Sequence, residues 1–454
     1  MTGSDWKKAL KNLKAEMEKE NDQMLEDEFL TIEELVPIRK DALRRALRRI
    51  LSEVDEFFRE KRWEEILALI YPVEEKAPEL VEASLELELR AKAAFALGHL
   101  MRFEEAIKEL LICVKREPNT FRFHSSLAYT AYNSLYAGLN KEIFLRGKIK
   151  AERIKLAHHH FQRAQELRPD GITNFYRQGM LFKQIERKVD KSIPLFEKAI
   201  QNWERLDKEA KEKRVQERKN YVKSLYQISS ALLESNRPGD ALDYLNRCLS
   251  EDEESEYITL LHKYFALGKI YFSLNRFEET RKALEFALTG ETNKPPDFVF
   301  ELLARTHLAL GNALEARKAI EQIPEKYRRP YFRWTEADVL CALKDYREAR
   351  KVLLRCAERD KRSAHKAYIR LAKINYLLGN FTQSRDFAKA AGKFFNQTWG
   401  GHLDDALFWE ALSCYRLGEC GRAAELAELL KQENPRYPKL SLLLSKLNKP
   451  LLST

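Results

Sequence analysis

Glycine and proline, the two residues that interrupt regular structure, are scarce. The chain has 16 glycines and 14 prolines in 454 residues, where average usage would give about 30 and 20. This excludes collagen-like, linker-like and Gly/Pro-rich low-complexity chains. Six cysteines, at 113, 248, 341, 356, 414 and 420, form no CxxC pair, so neither a zinc knuckle nor a thioredoxin-like motif is indicated. No apolar run approaches the roughly 18–20 residues that span a bilayer, so no membrane insertion is expected. The opening "MTGSDWKKALKNLKAEMEKENDQ" lacks the apolar centre of a secretory leader. A cytoplasmic chain without a disulfide framework is therefore expected, and the sequon at Asn396 carries no weight. GxGxxG, P-loop and GxSxG motifs are missing, and no carboxylate pair stands out from the charged background. The expectation is a non-catalytic protein without a cofactor or metal.

What is present is helical in character. Hydrophobic residues make up 44% and charged residues 33%, enough apolar surface to offset chain entropy. The net charge of +10 is concentrated. Between Lys141 and Lys223 there are 22 Lys and Arg against 12 Asp and Glu, an excess equal to that of the whole chain. A local excess of this kind points to an acidic partner, a nucleic acid or a solvated mixed-charge helical surface.

A pattern then recurs along the chain. In "LGKIYFSLNRFEETRKALEFAL", Leu267 to Leu288, Leu-Gly precedes Tyr271, a turn at Asn275-Arg276, then Phe277, Thr280, Leu284 and Ala287. "LAKINYLLGNFTQSRDFAKAA" repeats it with Ala372, Gly379, Phe381, Ser384, Ala388 and Ala391. "ADVLCALKDYREARKVLLRCAERD" gives Ala337, Tyr346, Ala349, Leu353 and Cys356. A small residue on one helix and another twelve places later let two antiparallel helices approach closely. Gly or Asn between them permits the left-handed turn that ends the first helix. Large residues at helical spacing fill the seam. Marker positions for the second helix fall at 66, 106, 157, 192, 241, 280, 316, 349, 384 and 423. Their spacing is near 34 residues from 241 onward and looser before. Cys113, Cys248 and Cys356 occupy a small slot late in their second helices, where a free thiol acts as a small hydrophobe.

These residues resemble the tetratricopeptide repeat family, whose period is about 34 residues. The resemblance spans roughly residues 47–437 and is firmest over 87–118 and 222–437. It implies an all-α, right-handed α-solenoid of about ten stacked helical hairpins, some divergent. Four segments follow: a charged helical extension at 1–46, divergent repeats with insertions at 47–221, regular repeats at 222–437, and a capping helix and tail at 438–454. The extension carries an apolar stripe of Leu10, Leu13, Met17 and Met24 and a Thr31–Glu34 capping box. Residues 202–221 are expected to be helix extensions crossing a solvated gap.

In that family the first helices line a concave groove that holds peptides or partner helices. The matching positions here are Lys223, Tyr226, His262, Phe265, Lys269, Arg305, Trp334, Lys366, Arg370, Lys373 and Tyr376. Phe272, Phe408 and Tyr415 lie in the same register. Lys366 and Arg370 stand where one half of the family's carboxylate clamp places Lys and Arg. The other half departs, with Glu301 and Arg305 replacing Lys and Asn and Thr335 replacing the middle Asn. A basic groove with aromatic walls suits an acidic peptide.

"AHHHFQRAQELRP", 157–169, belongs to a divergent second helix, with Ala157, Phe161, Ala164 and Pro169 in packing slots. Neighbouring helical side chains diverge by about 100°, so His158, His159 and His160 cannot converge on one ion. They are expected to lie between packing positions, where acid would charge them and strengthen the basic segment. The leading functional expectation is a protein-interaction scaffold or adaptor. RNA binding by the 141–223 segment and a peptide-sensing regulator are the alternatives.

Overall fold

The computed structural model describes residues 32–290 and 294–447. The stripe at Leu10–Met24, the Thr31 cap and the tail after 447 lie outside these residues. Regular structure among the described residues is entirely helical. The chain forms two compact units, 1–221 and 222–454.

The first unit opens with α1 (Ile32–Arg59), α2 (Trp63–Ile70) and the short α3 (Val73–Lys76) and α4 (Pro78–Glu82). Three hairpins follow: α5 (Leu87–His99) with α6 (Phe103–Arg116), α7 (Phe121–Leu139) with α8 (Gly147–Leu167), and α9 (Thr173–Met180) with α10 (Val189–Glu204). A π-helical turn, Leu181–Glu186, joins α9 to α10. Then come α11 (Lys208–Lys213) and α12 (Val215–Glu234), which continues into the second unit and pairs with α13 (Pro238–Glu251). The second unit adds four more hairpins: α14 (Leu260–Ser273) with α15 (Phe277–Ala287), α16 (Asp297–Ala309) with α17 (Ala313–Glu321), α18 (Pro330–Ala342) with α19 (Tyr346–Arg359), and α20 (Ala364–Leu377) with α21 (Phe381–Trp399). It ends with α22 (Asp404–Arg416), α23 (Cys420–Glu433) and the covering α24 (Leu440–Leu447).

The hairpins share one turn. A residue with positive φ ends the first helix at Lys61, Met101, Arg187, Asn236, Asn275, Gly311, Lys344, Gly379 and Gly418. The next N–H returns to a carbonyl one turn back, as in Arg237 to Leu232 (2.8 Å), Asn312 to His307 (2.8 Å) and Glu419 to Cys414 (2.9 Å). This closure satisfies the carbonyls that a helix end orphans. Five residues after each left-handed residue comes the marker of the second helix, and all ten markers, from Ile66 to Ala423, are fully buried. The spacing works because the turn fixes where the second helix first meets the first, and only a small side chain fits there. Ile66 is the bulky exception. In α7–α8 the left-handed Lys141 lies far from Ala157, since the connector and an extended α8 are inserted.

Lys344 is exposed at φ 66°, a conformation that costs an L-residue about 1–2 kcal/mol. Lys344→Gly is expected to raise stability by about 1 kcal/mol, read as a higher denaturant midpoint.

The cysteine slot repeats with equal regularity. The Sγ atoms of Cys113, Cys248 and Cys356 face the carbonyls of Leu87, Val222 and Pro330 at 3.6, 3.7 and 4.0 Å. Each pair ties the later part of a second helix to its own first helix, at the first residue for Leu87 and Pro330 and two turns in for Val222.

One expectation is refined and another corrected. Residues 202–221 do extend α10 as far as Glu204 and open α12 from Val215, but not as one continuous helix. Asp207 accepts a hydrogen bond from the Ala210 N–H (2.8 Å) and starts the separate α11, because a capping carboxylate competes with helix continuation. Nor do the three histidines merely fill the gaps between packing positions. His159 is exposed and His158 half-buried, while His160 is buried. Its Nδ1 lies 2.8 Å from Nδ1 of His124. Nε2 of His124 lies 3.0 Å from the Pro118 carbonyl, so Nε2 donates there and Nδ1 accepts from His160.

Burial pushes the His160 imidazole down to about 4, with His124 and His159 beside it adding to the effect. Burial also lowers His124 and His158. These two and His160 therefore resist charging instead of supplying positive potential in mild acid. The unfolded chain takes up protons first, so this contribution to stability is intact above about 6.5 and declines toward 4. The first unit should unfold at lower temperature across that window. His160→Asn, which keeps a donor but does not titrate, should flatten the profile.

Candidate functional site: the first-helix face of the second unit

In the second unit the first helices of successive hairpins touch one another, and contacts recur at about one repeat length. The Tyr226 hydroxyl donates to the His262 carbonyl (3.4 Å). The Phe298 ring lies 6.2 Å from that of His262 and 4.6 Å from that of Phe265. Lys269 sits 5.9 Å over Phe265, and Arg305 4.7 Å over Phe272. Lys366 and Arg370 lie 5.0 and 5.7 Å over Trp334. The Tyr376 ring is 5.7 Å from that of Trp409. Lys439 covers Phe408 and Trp409 at 5.7 and 5.8 Å.

Apart from the buried Phe408, the phenylalanine, tyrosine and tryptophan rings are half-buried, while the cationic tips of Lys269, Arg305, Lys366 and Lys373 are exposed. This division follows from side-chain chemistry: the stem covers apolar surface and the charge stays in water. Cation–π attraction adds about 0.5–1 kcal/mol at such exposed sites. Lys223 is half-buried on α12.

Carboxylates temper the positive charge. The Arg370 Nε donates to both oxygens of Asp338 at 3.2 and 3.0 Å. In the clamp register, Glu301 accepts from the Thr335 hydroxyl (2.6 Å) and lies 3.9 Å from Arg305. Burial raises the Glu301 carboxyl, although Thr335 and Arg305 oppose it. The register thus holds its own carboxylate where the family's clamp has donors. Nearby, burial favours protonation of Asp297, but hydrogen bonds from Arg329 and Tyr331 outweigh it and keep the carboxyl below its ordinary range. Sequence reading singled out the cations and rings but missed Asp297 and Asp338. The repeat-length offset, 32 residues for Arg370 with Asp338, was the available signal.

No group of three or more His, Cys, Asp and Glu side chains that could hold a metal ion occurs among the described residues. No helix among them is long and apolar enough to cross a membrane.

Residues 335–395, from within α18 to within α21, match the family model described as tetratricopeptide repeat. No curated protein matches the chain. Among solved structures, it is similar to a tetratricopeptide repeat protein from Parabacteroides merdae, at 15% identity and TM-score 0.45, covering 61% of this chain and 99% of that one. It is also similar to a chain of the APC/C hetero-tetramer Cut9–Hcn1, at 12% identity and TM-score 0.40, covering 87% and 82%. A thermophilic protein of Thermus thermophilus, TTC0263, gives 13% identity and TM-score 0.33, covering 50% and 98%. The matched segment, 335–395, is thus a tetratricopeptide-like stretch, and it is set among hairpins that repeat one turn and one buried marker.

Proposed function

We propose that the protein is a cytosolic, non-catalytic scaffold or adaptor whose first-helix face in the second unit holds a partner polypeptide with acidic side chains. Tetratricopeptide repeats in general serve protein interaction, not catalysis. The observation that carries the finer reading is the row of exposed cations, Lys269, Arg305, Lys366 and Lys373, beside half-buried rings on consecutive first helices. Rings supply contact area and cations supply charge-assisted hydrogen bonds.

RNA binding along 141–223 is the weaker reading. Arg163, Arg168, Lys188, Lys213 and Arg214 in that segment each pair with a carboxylate, which leaves less charge for phosphates. The test is capture from RNase-treated extract. Lys366→Glu with Lys373→Glu should weaken retention of the partner about tenfold or more, while Lys351→Glu on α19 should not. Equal loss with Lys351→Glu, or capture that vanishes with RNase, would count against the reading.

A further inference from the structure

The first unit contains a cation that no described carboxylate neutralises. The Arg177 guanidinium, on α9, lies 3.6 Å from the centroid of the Tyr129 ring on α7. Tyr132 and Tyr136 follow along α7 with their rings 6.3 Å apart, and Tyr176 adjoins Arg177 on α9. Arg177 is half-buried, and burial lowers its pKa while Tyr129, Tyr176 and Tyr132 oppose the shift. Among the described residues no carboxylate pairs with it. Other arginines of the unit contrast with it: Arg153 pairs with Glu104, and Arg214 with Asp170 and Glu217.

A desolvated charge without a counter-ion is costly. The tyrosine face offsets part of that cost but engages only one side of a planar fork. The in-plane N–H groups remain suited to a two-oxygen acceptor. Tyr136 is 40% exposed, so the cluster opens to solvent. Burial pushes the Tyr176 hydroxyl up to about 12, which keeps it protonated at neutral pH. A single positive charge balances one carboxylate, whereas a phosphate dianion would leave a surplus negative charge among the rings.

We propose that Arg177, with Tyr129, Tyr132, Tyr136 and Tyr176, forms a binding site for a side-chain carboxylate of an acidic polypeptide. The site is separate from the face of the second unit and does not depend on it. The experiment uses the full chain carrying Lys366→Glu and Lys373→Glu, so that the other face is silenced. Capped hexaglutamate, capped hexaglutamine and inorganic phosphate are titrated by calorimetry. Hexaglutamate should bind, hexaglutamine and phosphate should not compete, and Arg177→Met should weaken binding about tenfold or more. Without peptide, Arg177→Met should leave the melting temperature unchanged or raised, since an uncompensated charge is removed. The proposal is overturned if hexaglutamate fails to bind, if Arg177→Met leaves its affinity unchanged, or if phosphate displaces it. A fall in melting temperature of more than about 5 °C in Arg177→Met would also overturn it, because Arg177 would then be a structural strut. None of these results bears on the second-unit face, which the Lys366 and Lys373 variants test by themselves.

Discussion

Arg90→Met is expected to destabilise the first unit by about 3–5 kcal/mol at neutral pH. Arg90 is buried on α5 and donates to Glu109 of α6 (2.6 Å) and to Glu74 of α3 (2.8 Å). Its Nε is 3.7 Å from the buried Glu86. One guanidinium thus ties three helices and offsets two buried carboxylates. Methionine matches much of its volume but leaves those carboxylates without a counter-charge.

The pH dependence identifies the cause. Burial raises the Glu109 carboxyl even with Arg90 opposing it, and removing Arg90 raises it further. A carboxyl whose folded pKa exceeds its unfolded pKa stabilises fully below the unfolded value and loses that contribution as pH rises through the folded value. The deficit of Arg90→Met should therefore be small near pH 4 and full by about pH 7. Adding Glu109→Gln should recover part of it. Chemical denaturation across that range is the measurement, and a deficit independent of pH would assign the loss to packing instead.

Phe332→Ala should cost about 3–5 kcal/mol in the second unit. Phe332, at the start of α18, is fully buried in a cluster with Leu284, Val299, Leu302, Leu303, Ile320 and Ile323. These residues come from α15, α16, α17 and the turn that follows α17, so the ring joins three consecutive hairpins. In a repeat stack, stability is close to a sum of hairpin and neighbour-interface contributions. Weakening one interface should therefore lower cooperativity as well as stability. Unfolding of Phe332→Ala is expected to split into two transitions, the hairpins from α18 onward separating from those before. A single transition of unchanged steepness would contradict this.

The repeat was legible because it depends on contacts made locally within each hairpin. Ala349, Ser384 and Ala423 advertise close helix approach by their size, and Gly311, Gly379 and Gly418 advertise the turn by their backbone freedom. Lys344, Met101 and Arg187 hold the same turn without either signature, since the fold imposes that conformation on ordinary residues. They are found only by counting back from the marker. What joins hairpins was less legible. Arg370 meets Asp338 of the preceding hairpin across 32 residues, and Arg329 meets Asp297 at the same offset. Such pairs depend on how neighbouring repeats dock, which helical periodicity alone does not encode. The face of the second unit therefore read as a basic groove broken only at Glu301, when Asp338 moderates it as well. The tyrosine setting of Arg177 escaped notice for the same reason, since α7 and α9 meet only in the fold.

The central claim is that the first-helix face of the second unit is where a partner docks. A photo-crosslinking residue placed at Lys373, exposed on α20, and separately at Lys351, exposed on α19, tests it most directly. The account predicts that the same captured protein crosslinks through position 373 and not through 351, and that acidic peptide competes it away. Crosslinking through 351 with none through 373 would contradict it.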